Sequence, residues 1–141
     1  MKTLKETLVV LTLIMVYGTA SAFETAASKE SMPVAISSYI DAVAYGKTDN
    51  LEEIIDNRAV FTITTGTNTN SYNKKAIIDL IKANKSIQQN CETSYKVIES
   101  DDKRAFVKVM YKYENFVRID NVTMMGGRNG WKIIKVASSY V

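Results

Sequence analysis

From Arg104 to Val141 the chain reads RAFVKVMYKYENFVRIDNVTMMGGRNGWKIIKVASSYV: three long extended runs, the second and third joined through GGRNG. In the first run Ala105, Val107, Val109, Tyr111 and Tyr113 alternate with Phe106, Lys108, Met110, Lys112 and Glu114. Alternation at period two sends the first set to one face and the more polar set to the other. In the second run Val117, Ile119, Asn121, Thr123 and Met125 share a face, opposite Phe116, Arg118, Asp120, Val122 and Met124. The third run, Trp131 to Val141, is rich in the aromatic and β-branched residues that strands favour. An antiparallel sheet with one apolar face needs a cover, and the preceding segments supply it.

Those segments begin with an export signature. Lys2 and Lys5 precede the ten-residue apolar run Leu8–Tyr17, and Ala20-Ser21-Ala22 offers the small residues of a cleavage site. The run is shorter than the roughly 20 apolar residues a spanning helix needs. Cleavage after Ala22 is expected, giving a periplasmic or secreted protein with no membrane attachment. Phe23–Pro33 reads as a flexible polar lead-in, and one domain fills 34–141. Pro33 opens a helix in which Ile36, Tyr39, Ile40 and Val43 recur at helical spacing up to Gly46. Asp49 with Glu52 resembles a capping box for a short helix over Asn50–Asp56. Arg58–Thr65 changes to strand period, Gly66–Asn70 reads as a turn, and Ser71-Tyr72 as a short return strand. Asn73 caps a third helix to about Lys85, and Cys91–Glu99 is a strand.

Composition removes several functions. Without Lys2, Lys5 and Glu6 the expected mature chain carries 16 basic and 14 acidic residues, with no basic run longer than a pair such as Lys74-Lys75. A nucleic-acid partner usually needs a clustered basic stripe. The chain has no histidine, the commonest general base and zinc ligand, and no motif implies a metal or a cofactor. Cys91 stands alone, so no intrachain disulfide forms, and it reads as a small core residue.

The order helix, helix, strand, short strand, helix, four strands over Val34–Val141 resembles the nuclear-transport-factor-2-like superfamily. That resemblance implies an α+β, cystatin-like cone, with N-terminal helices packed on a curved, mostly antiparallel sheet. The segment from Tyr113-Glu114-Asn115-Phe116 through Val122–Met125 to Gly130-Trp131-Lys132-Ile133-Ile134 is similar to the ending of its exported "putative lumazine-binding" branch. In that branch an aspartate-bearing strand precedes an N-G-x-W-K-I turn. Asp120 and Asn129-Gly130 match, but here Trp131 follows Gly130 directly, and the Gly126-Gly127-Arg128 turn is looser.

The aromatic residues Tyr39, Phe61, Tyr95, Tyr111 and Tyr113, with Asn121 as a polar group, are the candidate lining of a ligand pocket in the cone. The simpler reading of these aromatics is core filling. Asp120 is the carboxylate a mid-strand position aims most deliberately, although Arg118 on the same face makes structural pairing the plainer reading. Tyr39 lies on the buried helix stripe, where its hydroxyl needs a partner; in isomerase-like relatives a tyrosine on the first helix contributes to an oxyanion site. The leading expectation is an exported protein that binds a small apolar or aromatic ligand without chemistry of its own. One alternative is an isomerase- or cyclase-type enzyme with Asp120 as base and Tyr39 as donor. Another is a protein-interaction module. Phe106, Met110, Phe116 and Met124 on the expected outer face suggest a homodimer. A single bulge would exchange the two face sets.

Overall fold

The computed structural model describes residues 31–141, so the expected export segment and its cleavage site lie outside the described residues. Ser31 caps the first helix, α1 (Met32–Tyr45), by accepting from Val34 N at 3.4 Å. Gly46 closes α1 in the left-handed region at φ 67°, and the chain there runs hard against the loop after the third helix. A Cβ on Gly46 would stand 2.5 Å from Ser86 N. The second helix, α2 (Leu51–Ile54), is one turn long, shorter than expected. Its N-cap is Asn50 with no side-chain bond, so the expected Asp49–Glu52 capping box does not form. The helix stops because Ile55 already pairs with Ile133 as the first residue of β1 (Ile55–Thr65).

Gly66, at φ 61°, makes a two-residue turn into β2 (Asn68–Asn73). That strand is longer than the expected Ser71-Tyr72: Thr69 and Asn70 pair with Thr64 and Ile63 rather than forming a loop. Its polar composition suits an exposed sheet edge. Asn73 caps α3 (Lys74–Lys82) as expected, accepting from Ala76 N at 2.9 Å. Lys74 then closes the short α2, donating to the carbonyls of Glu52 at 2.8 Å and Ile55 at 2.7 Å. Four strands complete the chain: β3 (Glu92–Ser100), β4 (Arg104–Lys112), β5 (Val117–Gly127) and β6 (Gly130–Tyr140).

The described strands form one sheet in the order β2-β1-β6-β5-β4-β3, antiparallel throughout except for the β1–β6 pair. It is curved and unclosed, an α+β cone with α1 lying on β4 and β6 and α3 on β1 and β2. Register shifts bend it on β1 between Ile55 and Val60, on β3 at Ile98 and on β6 at Ile134. The core lies in the hollow, where Tyr39, Phe61, Leu51, Ile54, Val107, Val122, Ile133 and Val136 are all buried. Each such side chain removed from water contributes roughly 1.5–3 kcal/mol.

The register corrects one expectation. Ala105, Val107, Val109 and Tyr111 face inward as their alternation predicts, but the inward set of β5 is Arg118, Asp120, Val122 and Met124. Val109 pairs with Asp120 and Val107 with Val122, and directly paired residues share a face. Asn121 is therefore on the outer face, opposite Lys108, and exposed. Met124 is in the core rather than on the outer face.

Candidate functional site

The inward placement of β5 brings a charge pair into the cone. Arg118 and Asp120, two apart on the strand, meet in a bidentate bridge: Nε to Oδ1 and Nη2 to Oδ2, both at 2.9 Å. Asp120 is fully buried, while the Arg118 side chain keeps 16% of its exposure. Tyr39, reaching down from α1, donates its hydroxyl to Asp120 Oδ2 at 2.8 Å. Arg118 Nη2 also donates to Ser138 Oγ at 3.4 Å, from the residue that pairs with Asp120 across β6. The guanidinium carbon lies 5.3 Å from the centre of the Tyr111 ring, a cation–π contact. Asp120, the Tyr111 ring and Ser138 therefore hold Arg118 from three sides.

Burial drives the acid–base behaviour of the two tyrosines here. It pushes the Tyr39 hydroxyl well above its ordinary 10.0, and the neighbouring Asp120 carboxylate adds to the effect. It does the same to Tyr111, whose hydroxyl is buried without a hydrogen-bond partner among the described residues. Both groups are neutral proton donors at neutral pH. Asp120 has each carboxylate oxygen engaged by a donor. Through these three bonds Asp120 anchors both Arg118 and Tyr39.

Above the pair the cone opens into a cleft of about 370 Å³. Val43, Ile63, Ile77, Leu80 and Ile81 form its aliphatic side, from α1, β1 and α3. The opposite wall is aromatic. The β4–β5 loop brings the Tyr113 and Phe116 rings together at 4.4 Å and 17°, and Phe116 leans on Tyr140 at 5.9 Å. Gln89 sits at the rim, donating to Val43 O at 2.9 Å and accepting from the Tyr113 hydroxyl. Among the described residues Arg118 is the one charged side chain that lines the cleft.

Of the residues expected from sequence, Tyr39 and Asp120 are brought into direct contact, with Tyr111 beside them and Phe61 6.4 Å from the Tyr39 ring. None of these four lines the cleft, a correction to the expected lining, whereas Tyr113 does. Tyr95 lies apart on β3, half exposed beside Ile40 and Tyr45 in a groove outside the cone. Asn121 is on the outer face and takes no part, a correction to its expected place in the pocket. Phe116 and Arg118 were not expected to line it. Reading Tyr113–Phe116 as a four-residue hairpin loop would have found them, because loop length fixes register. A larger hollow of about 510 Å³ between α2 and α3 lies outside the cone. Its ends are already engaged, Lys82 with Glu52 at 2.6 Å and Lys75 with Asp79 at 2.5 Å. No group of three or more metal-ligating side chains occurs among the described residues.

The family model described as "Putative lumazine-binding" matches residues 27–138. The chain belongs to this family. Solved structures agree on the fold. An NTF2-like protein of unknown function from Silicibacter pomeroyi is 14% identical, with a TM-score of 0.64 over 79% of this chain and 92% of its own. A protein of unknown function from the DUF3225 family of Pectobacterium atrosepticum is 16% identical, at 0.62 over 77% and 87%. An NTF2-like protein from Cytophaga hutchinsonii is 15% identical, at 0.59 over 76% and 93%. At these identities the likeness is one of fold, the nuclear-transport-factor-2-like cone. No curated protein matches the chain.

Proposed function

We propose that this family member binds a small, flat, largely apolar ligand in the cleft at the mouth of the cone. The observation that carries the reading is the pairing of an aromatic wall, Tyr113–Phe116–Tyr140, with a single guanidinium fixed beneath it by a buried carboxylate. Small-molecule sites combine mostly apolar walls with a few placed polar groups, and this cleft has that composition. The isomerase-type alternative has less support, because Asp120 is committed to Arg118 and Tyr39.

Two further parts of the proposal follow from the sequence. The protein is exported and cut after Ala22, and the mature chain pairs with a second copy through the outer sheet face. There Phe106, Met110 and Met125 are partly exposed. Native mass spectrometry of protein purified from its own host tests ligand and partner together. A bound small molecule is expected, lost in Tyr113→Ala and Arg118→Met. An empty cleft in every preparation, with no small molecule retained, would overturn the binding reading, and the mass of the chain reports the cleavage point.

A further inference from the structure

From the charge balance at the floor of the cleft we infer that the ligand presents a neutral hydrogen-bond acceptor, such as a ring carbonyl, to Arg118, and that the site selects against carboxylates and phosphates. The inference rests on the ligand-binding reading above and adds the chemical class.

An arginine in a pocket ordinarily suggests an anionic ligand, because its planar fork matches a carboxylate. Here that fork is taken. Asp120, fully buried, occupies Nε and Nη2 in a two-point bridge, so the charge of Arg118 is balanced before any ligand arrives. Among the described residues no other charged side chain lines the cleft. A ligand anion would leave water for a site of zero net charge, with a second carboxylate just behind the guanidinium. Burying an ion without a counter-charge is strongly unfavourable.

Arg118 nevertheless retains donors. A guanidinium has five N–H groups, and the bonds to Asp120 and Ser138 use only those on Nε and Nη2. Among the described residues nothing accepts from Nη1. The Tyr111 ring and Asp120 fix the orientation of the group. An oriented, charge-balanced donor under an aromatic wall suits a neutral acceptor on a flat ring, stacked beside Tyr113 and Phe116.

Two probes of one shape separate these outcomes: 2-naphthamide, neutral, and 2-naphthoate, anionic at neutral pH. Each is titrated into the purified protein by ligand-observed NMR. The amide is expected to bind about tenfold more tightly or better, as burial of an unbalanced charge requires. Asp120→Asn removes the balancing charge and is expected to narrow or reverse that order, while Arg118→Met weakens the amide. If the naphthoate binds wild type as tightly as the amide or more so, and Tyr113→Ala weakens both, the neutral-acceptor inference is overturned and the cleft reading stands. If neither probe binds, or Tyr113→Ala changes nothing, the cleft reading falls and the inference with it. Should Asp120→Asn not fold, the order of the two probes on wild type decides alone.

Discussion

Tyr111 places a hydroxyl in the core with no partner among the described residues, beside an ion pair bridged at two points. An unpaired buried hydroxyl costs about 1–3 kcal/mol, so replacing it by hydrogen at constant shape removes that cost. Tyr111→Phe keeps the ring under Arg118 and is expected to leave urea stability unchanged or raise it by about 1 kcal/mol. Asp120→Ala is the opposite case: it strands Arg118 with an uncompensated charge and is expected to cost roughly 3–5 kcal/mol by the same measurement. The tyrosines also set an alkaline limit. Burial raises Tyr39 and Tyr111 well above 10.0 and pushes Tyr113, beside Cys91, up to about 12. Between the unfolded value of 10.0 and these higher folded values the unfolded chain has lost protons that the folded chain keeps. Stability is therefore complete below pH 10 and falls as pH rises through the folded values. Unfolding free energy measured from pH 9 to 12 should decline, with a shallower slope in Tyr111→Phe.

At the scale of elements, the join between α1 and the loop after α3 is the tightest passage. Gly46 turns in the left-handed region where a Cβ would collide with backbone, Ser86 N at 2.5 Å and Ile87 N at 2.7 Å. Ser86 N donates to Gly46 O at 3.0 Å and Gln89 N to Ala44 O at 2.7 Å, so this passage also positions Gln89 at the rim of the cleft. Gly46→Ala is expected to cost about 2 kcal/mol or more, since backbone strain there adds to a contact that backbone cannot relieve. Thermal unfolding measures it, and an unchanged midpoint would contradict the close passage. Gly126 has a related but milder role: the Trp131 ring lies over it, and a Cβ would meet Cε2 at 3.0 Å. Gly126 and Gly127 belong to β5 rather than to the looser turn expected from sequence, which narrows to Arg128-Asn129, and the indole covers strand backbone that has no side chain of its own.

For the whole molecule, the curved sheet leaves one face to α1 and α3 and the other to solvent or a partner. The outer patch differs from the sequence expectation. Phe106 and Met110 belong to it, joined by Met125, whereas Met124 is core and Phe116 stacks on Tyr113 at the cleft mouth. If this face joins two copies, Phe106→Glu with Met110→Glu should give a folded monomer by sedimentation, with the cleft intact. The alternation of β4, the helical stripe through Tyr39 and the caps at Asn73 and Gly46 were all legible in the sequence, because local periodicity and capping chemistry fix them. So was the fold, through its order of elements and its family motif. The face of β5 was not. Its two alternating sets are nearly equal in hydrophobicity, Val117, Ile119 and Met125 against Phe116, Val122 and Met124, so composition cannot rank them. The pairing of Lys112 with Val117 across a four-residue loop decided it, by carrying the inward face of β4 onto Asp120. Burying Arg118 and Asp120 is tolerable only because each neutralises the other and Tyr39, 81 residues away, supplies a third bond. A charge pair of that kind is unfavourable at the level of single residues and becomes favourable only when the tertiary structure brings its partners together.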